Sequence, residues 1–263
     1  MKKFYSLFAT VLLLMAILTG CSSTDTSKES SSKQTTELTV SAAASLQDAL
    51  VELQKTYEKE HTDVKLQFNF GGSGALQQQI SQGAPVDLFF SAAEDKFDAL
   101  VDSKVIAKEN GVDLLSNELV LVVPKNNEKK INSFNDLNKA SKIALGTPEA
   151  VPAGQYGLET LKAMKLWNKL ESKVVYAKDV RQVLTYAETG NVDAGIVYKT
   201  DALTSDKTKI VATAKNDTHT PIIYPVGVIK ESKHFKEAEA FYDFLQTDES
   251  MKVFEKYGFK GAK

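Results

Sequence analysis

Between Leu38 and Tyr198 the chain switches repeatedly from short apolar or alternating runs to stretches with apolar residues at helical spacing, and few architectures accommodate that alternation. Residues 38–42, 64–70, 88–91 and 119–123 read as strands. Between them Leu46, Leu50, Leu53 and Tyr57 share one helical face, and a shorter helix carrying Leu76 and Ile80 follows Ser73 and stops at Gly83-Ala84-Pro85. The second half repeats the pattern, with strands at 143–145, 174–176 and 194–198 and helices at about 152–165 and 180–188. Two more strands, near 210–212 and 222–229, precede helices over roughly 235–245 and 249–257. The pattern predicts an α/β fold of largely parallel sheets with helices on both faces. In open sheets of this kind, ligands bind beyond the carboxyl ends of the strands.

Four of those strand ends open into a helix start that offers backbone N–H groups and hydroxyls with almost no fixed positive charge. They are Ala42-Ala43-Ala44-Ser45-Leu46, Gly71-Gly72-Ser73-Gly74, Val151-Pro152-Ala153-Gly154 and Asp179-Val180-Arg181. A helix start leaves orphan donors and carries about half a positive charge, so it holds an anion without a lysine. Taken singly, each also has a plain structural reading. Ser45 with Asp48 three residues on forms a capping box, Asp179 is a good N-cap, Pro152 suits a first helical position, and Gly71-Gly72 turns the chain. Ser91-Ala92-Ala93-Glu94 is a further capping box, but Glu94 would repel an anion, so Ser91 is assigned to structure. Lys178 and Arg181 flank Val180 and read as solvated surface charges. Tyr198 ends the strand 194–198 and can present a phenol hydroxyl to the same cleft.

The N-terminus has Lys2 and Lys3, a mostly apolar stretch to Leu18, and then Thr19-Gly20-Cys21, which reads as an export signal over 1–20. The stretch is shorter than the roughly 20 residues of a spanning helix. Leu-Thr-Gly-Cys resembles the lipobox of bacterial lipoproteins, which makes Cys21 the expected lipidation site and the anchor to the membrane. Residues 21–36 are almost entirely Ser, Thr, Lys, Gln and acids and read as a disordered tether. Cys21 is the only cysteine, so no intramolecular disulfide is possible. Loss of Lys2 and Lys3 would take the formal charge from −2 to −4, and no basic block suggests nucleic acid. His61, His219 and His234 lie far apart without paired ligand spacing, so no direct cation site is expected.

Six segments carry a family resemblance: Ala-Ala-Ala-Ser-Leu at 42–46, Gly-Ala-Pro-Val-Asp-Leu-Phe at 83–89, Gly-Thr-Pro-Glu-Ala-Val-Pro-Ala-Gly at 146–154, Asp-Val-Arg at 179–181, Gly-Ile-Val-Tyr at 195–198 and Tyr-Gly-Phe at 257–259. In order and spacing they resemble the molybdate-binding component of bacterial ABC importers, over essentially all of 37–263. The resemblance implies a two-lobed periplasmic-binding-protein fold of the second topological type, each lobe a mixed, mostly parallel sheet flanked by helices. Lobe 1 would be 37–117 with 224–263, lobe 2 would be 118–223, and 119–123 and 224–229 would be the hinge crossings.

The resemblance also implies oxyanion contacts from the hydroxyls of Ser45, Ser73 and Tyr198 and from the backbone N–H groups of Ala153 and Val180. It implies no cofactor and no enzymatic activity. The expected protein is a monomeric, extracytoplasmic lipoprotein that binds molybdate or tungstate and delivers it to a membrane permease driven by an ATPase. The glycines around Ser73 depart from the commoner serine-rich turn. Two alternatives stay open: a binding protein for another tetrahedral oxyanion such as sulfate, and an exported esterase. The esterase would use Ser73 with Asp193 or Asp201 and His219, since Gly71-Gly72-Ser73-Gly74-Ala75 approaches a nucleophile elbow but has Ala75 for its last glycine.

Overall fold

A computed structural model describes residues 35–262. The export segment 1–20, Cys21 and the tether as far as 34 lie outside the described residues. The first run comprises β1 (Thr36–Ala43), α1 (Gln47–Glu60), β2 (Val64–Gly71), α2 (Ser73–Ser81), β3 (Leu88–Phe90) and α3 (Glu94–Asp102). Next come β4 (Ile106–Ser116) and β5 (Leu119–Pro124), almost back to back. The middle holds β6 (Ile143–Gly146), α4 (Pro152–Ala163), α5 (Trp167–Leu170), β7 (Val174–Ala177), α6 (Val180–Glu188), β8 (Ala194–Tyr198), α7 (Lys199–Leu203) and β9 (Thr208–Thr213). The chain closes with β10 (Ile223–Ile229), α8 (Phe235–Leu245), α9 (Asp248–Lys256) and β11 (Lys260–Gly261).

These strands form two mixed sheets. One is ordered β11-β4-β10-β3-β1-β2 and the other β7-β6-β8-β5-β9. Pairing is parallel around β1 and β6, where a helix links successive strands. It is antiparallel around β10 and β5, so the antiparallel share is larger than strand–helix alternation alone predicts. The chain passes from the first sheet to the second at Asn117-Glu118 and returns through 214–222. Residues 119–123 and 224–229 are therefore ordinary sheet strands that begin just after each crossing. The crossings are tied together, with Asn117 N–H donating to the Ile222 carbonyl at 3.2 Å and Ala214 N–H to that of Leu119 at 2.9 Å.

Burial follows the periodicities. Ala49, Leu50, Leu53 and Tyr57 form the inner face of α1, and Val180, Val183, Leu184 and Ala187 that of α6. Each fully buried leucine or valine contributes about 1.5–3 kcal/mol of transfer free energy. The strands absent from the sequence reading are the two-residue β11 and the long β4. The interior of β4, Lys108-Glu109-Asn110-Gly111, is polar and half-buried to exposed, and the strand is held mainly by pairing with β10. Pro225 sits in β10 at a register shift, where its missing N–H removes no ladder bond.

Candidate functional site

The carboxyl ends of β1, β2, β3, β6, β7 and β8 converge on one narrow cavity of about 10 Å³. Ala43, Ala44 and Ser45 line it from beyond β1, Gly71, Gly72 and Ser73 from the β2–α2 turn, and Ala92 from beyond β3. Val151, Pro152, Ala153, Val180 and Tyr198 line it from the second sheet's side. All five residues expected to contact an oxyanion are among them, although they span 153 positions from Ser45 to Tyr198.

Local geometry corrects the capping assignments. Ala44–Leu46 form a 3-10 turn, so α1 starts only at Gln47, and neither N-cap has a side-chain capping bond. Ser45 Oγ lies instead 2.9 Å from Tyr224 Oη, and Asp48 pairs with Arg181. The tight turn withdraws Ser45 from the capping position and sets it, 3 % exposed, against the cavity. Ser73 opens α2, with Gly72 as N-cap, and its Oγ accepts the Ala92 N–H at 2.9 Å. Ser91 exchanges hydrogen bonds with Ala93 rather than capping α3. Asp179 does cap α6, accepting from Gln182 N–H at 2.8 Å, and Pro152 occupies the first turn of α4. Ala153 and Val180 thus lie in first helical turns, whose N–H groups have no partner within the helix. Burial pushes the Tyr198 hydroxyl well above its usual pKa, so it remains a donor at any physiological pH.

Among the described residues no ionised side chain lines the cavity. Arg181, next to Val180, is not the solvated charge expected from sequence. Its Nε stands 2.8 Å from Asp201 Oδ1, its guanidinium also pairs with Asp48, and it is three-quarters buried. Arg181 is thus engaged by two acidic side chains rather than by the cavity. Asp201 is fully buried, and burial outweighs Arg181 to lift its carboxyl to about 7, with Asp48 adding to the rise. Because that folded-state value exceeds the ordinary 3.8, Asp201's contribution to stability is complete below about pH 4 and is lost as pH rises through about 7. Asp201→Asn is therefore expected to flatten the decline in Tm between about pH 5 and 8, measured by thermal melts across that range; an unaltered slope would place the titration elsewhere.

The nucleophile reading finds no support in the geometry. Ser73 Oγ is held by the Ala92 N–H, while His219 does not line the cavity and its Nδ1 lies 2.8 Å from the Thr220 carbonyl oxygen. Among the described residues no cluster of three or more His, Cys, Asp or Glu is placed to hold a metal ion. Sequence reasoning missed Asn117, Tyr156 and Tyr224. Tyr156 and Tyr198 both direct hydroxyls at the Ala92 carbonyl, at 3.4 and 3.5 Å. Of the three missed residues only Tyr224 lies in an apolar run, and neither Asn117 nor Tyr156 carries a local sequence signal for the site.

The fold and this cavity are those of a solute-binding protein, and comparison agrees. Residues 38–260 match the family model for bacterial extracellular solute-binding proteins, and the chain belongs to that family. A Bacillus subtilis (strain 168) relative, YvgL, is 60% identical over 259 residues, covering 98% of this chain and 99% of its own; its name assigns it provisionally to ABC transporter substrate-binding lipoproteins. The Escherichia coli (strain K12) molybdate-binding protein ModA is 37% identical over 264 residues, covering 98% of each chain. Among solved structures, the periplasmic molybdate-binding protein of Azotobacter vinelandii superposes with a TM-score of 0.75. It is 22% identical and covers 85% of this chain and 98% of its own, which establishes the shared periplasmic-binding-protein fold.

Proposed function

We propose that the protein captures molybdate, and tungstate with it, outside the cytoplasm and delivers it to the permease of an ABC importer. The observation that carries this reading is the convergence of Ser45, Ser73, Ala153, Val180 and Tyr198 on a cavity without an ionised side chain. A doubly charged, fully deprotonated tetrahedral oxyanion has only acceptors, and this lining offers donors. Charge-assisted hydrogen bonds contribute about 1.5–3 kcal/mol each and a helix terminus about 0.3–1 kcal/mol more. Several together outweigh a desolvation cost of several kcal/mol for the ion. Hydrogen phosphate carries a proton that needs an acceptor, and leaving it unpaired costs about 1–3 kcal/mol. Sulfate passes the proton criterion and is discriminated by size.

In the same reading, 37–117 with 224–263 and 118–223 act as two lobes, each supplying part of the cage, so that the ligand favours closure and the closed form is what the permease recognises. Cys21 carries the lipid anchor of a monomeric protein. Relatives named for molybdate binding and for ABC transport support both the ligand and the partner. Titration calorimetry with molybdate, tungstate, sulfate and phosphate tests the reading. One site per chain is expected, with molybdate and tungstate bound at least 100-fold more tightly than phosphate; preference for phosphate, or binding of none of the four, would contradict it.

A further inference from the structure

A directed chain of side-chain hydrogen bonds runs from the first crossing to the cavity. Asn117 is oriented by its neighbour: Glu118 N–H donates to Asn117 Oδ1 at 2.8 Å, which makes Nδ2 the donor side of the amide. Nδ2 donates to Thr200 Oγ1 at 2.9 Å and to Tyr224 Oη at 3.1 Å. A phenol that accepts from an amide still has one proton to give, and Ser45 Oγ is 2.9 Å away. Burial keeps the Tyr224 hydroxyl protonated, so that proton is present at neutral pH.

We infer that Asn117 and Tyr224 are positioning residues that fix the polarity of the Ser45 hydroxyl, and through it the site's preference for fully deprotonated anions. With Tyr224 donating to its oxygen, Ser45 has a proton that must find an acceptor, and the cavity is where it finds one. Ser73 is set the same way, because its Oγ accepts the Ala92 N–H and its proton is left free. A ligand that offers O–H to either serine leaves a buried serine proton unpaired. This deepens the oxyanion reading and rests on it.

The two readings separate in one double-mutant cycle measured by calorimetry. Tyr224→Phe is expected to weaken molybdate binding about 5- to 10-fold and to narrow the molybdate-to-phosphate ratio by a similar factor, because the freed Ser45 hydroxyl can then turn to accept. In a Ser45→Ala background the same change should cost less than about 2-fold. Asn117→Asp keeps the amide's shape and its Glu118 contact but replaces the donor with an acceptor. Its cost should likewise shrink when Ser45 is absent. Equal costs in both backgrounds, with wild-type binding intact, would overturn the relay and leave Tyr224 a packing residue. Absence of oxyanion binding by the wild type would overturn both readings. Thermal melts alongside confirm that each variant is folded, and the cycle compares only folded proteins.

Discussion

Gly74→Val is expected to raise the Kd for molybdate at least 100-fold while leaving both sheets folded. A Cβ at Gly74 would stand 2.8 Å from the Glu149 carbonyl oxygen and 2.9 Å from Ala150 Cα, and one at Gly72 2.6 Å from the Ala150 carbonyl oxygen. These neighbours are backbone, which cannot rotate aside as a flexible side chain would. Gly72 has an ordinary φ of −70°, so glycine is needed there for close approach rather than for an unusual conformation. The turn from the first sheet meets residues 149–151 from beyond β6, and Gly74 N–H donates to the Ala150 carbonyl across that contact at 3.0 Å. Parting the two by even about 1 Å takes one set of donors out of the 2.7–3.2 Å range in which they can hold a shared anion. Calorimetry with circular dichroism on the same sample checks the result. Wild-type affinity in a folded variant would mean that the backbone yields, and that closure does not depend on these glycines. This also gives the departure at Gly71 to Gly74 from a serine-rich turn a physical reason.

The second large effect is a crossed pair of variants. Ser45→Ala removes one charge-assisted donor, about 1.5–3 kcal/mol, or roughly 10- to 150-fold in Kd, with little change in melting temperature beyond that of a lost buried hydroxyl. Arg181→Ala should do the reverse. Its guanidinium does not line the cavity, so binding should weaken by less than about 5-fold. Its loss leaves fully buried Asp201 without its cation, however, and breaking such a pair typically costs about 3–5 kcal/mol of stability at a pH where the carboxylate is ionised. The stability loss should therefore be larger above about pH 7 than below it, since Asp201 is neutral at lower pH. A greater affinity loss at Arg181 than at Ser45 would replace the neutral cage with an ion-paired one.

Most of the fold was legible because its strands are apolar or alternate, and its helices bury one face at regular spacing. The exceptions among the strands are the two-residue β11, which pairs with β4, and β4 itself, which is polar through Lys108-Glu109-Asn110-Gly111 and owes its place to the partner strand β10, a relation that local periodicity does not carry. The five cavity residues lie at or beyond strand ends, which converge in this topology, and the family resemblance singled them out among their neighbours. What those residues bond to was not legible. Ser45 has the signature of a capping box, but a 3-10 turn displaces the helix start, and its partner Tyr224 lies 179 positions away. Arg181 looked solvated because its acids, Asp48 and Asp201, lie 133 and 20 positions away in the chain. Spacing reveals pairs within a helix turn or across a hairpin, and these contacts are neither.

A crystal structure of the molybdate complex, phased and located by the anomalous signal of the bound metal, bears most directly on whether uncharged groups alone hold the dianion. The expected density lies in the cavity between the two sheets, with oxygens at hydrogen-bond distance from the hydroxyls of Ser45, Ser73 and Tyr198 and the N–H groups of Ala153 and Val180, and no lysine or arginine nitrogen within about 4 Å. An anomalous peak beside a lysine, an arginine or a second metal, or anywhere outside that cavity, would contradict it.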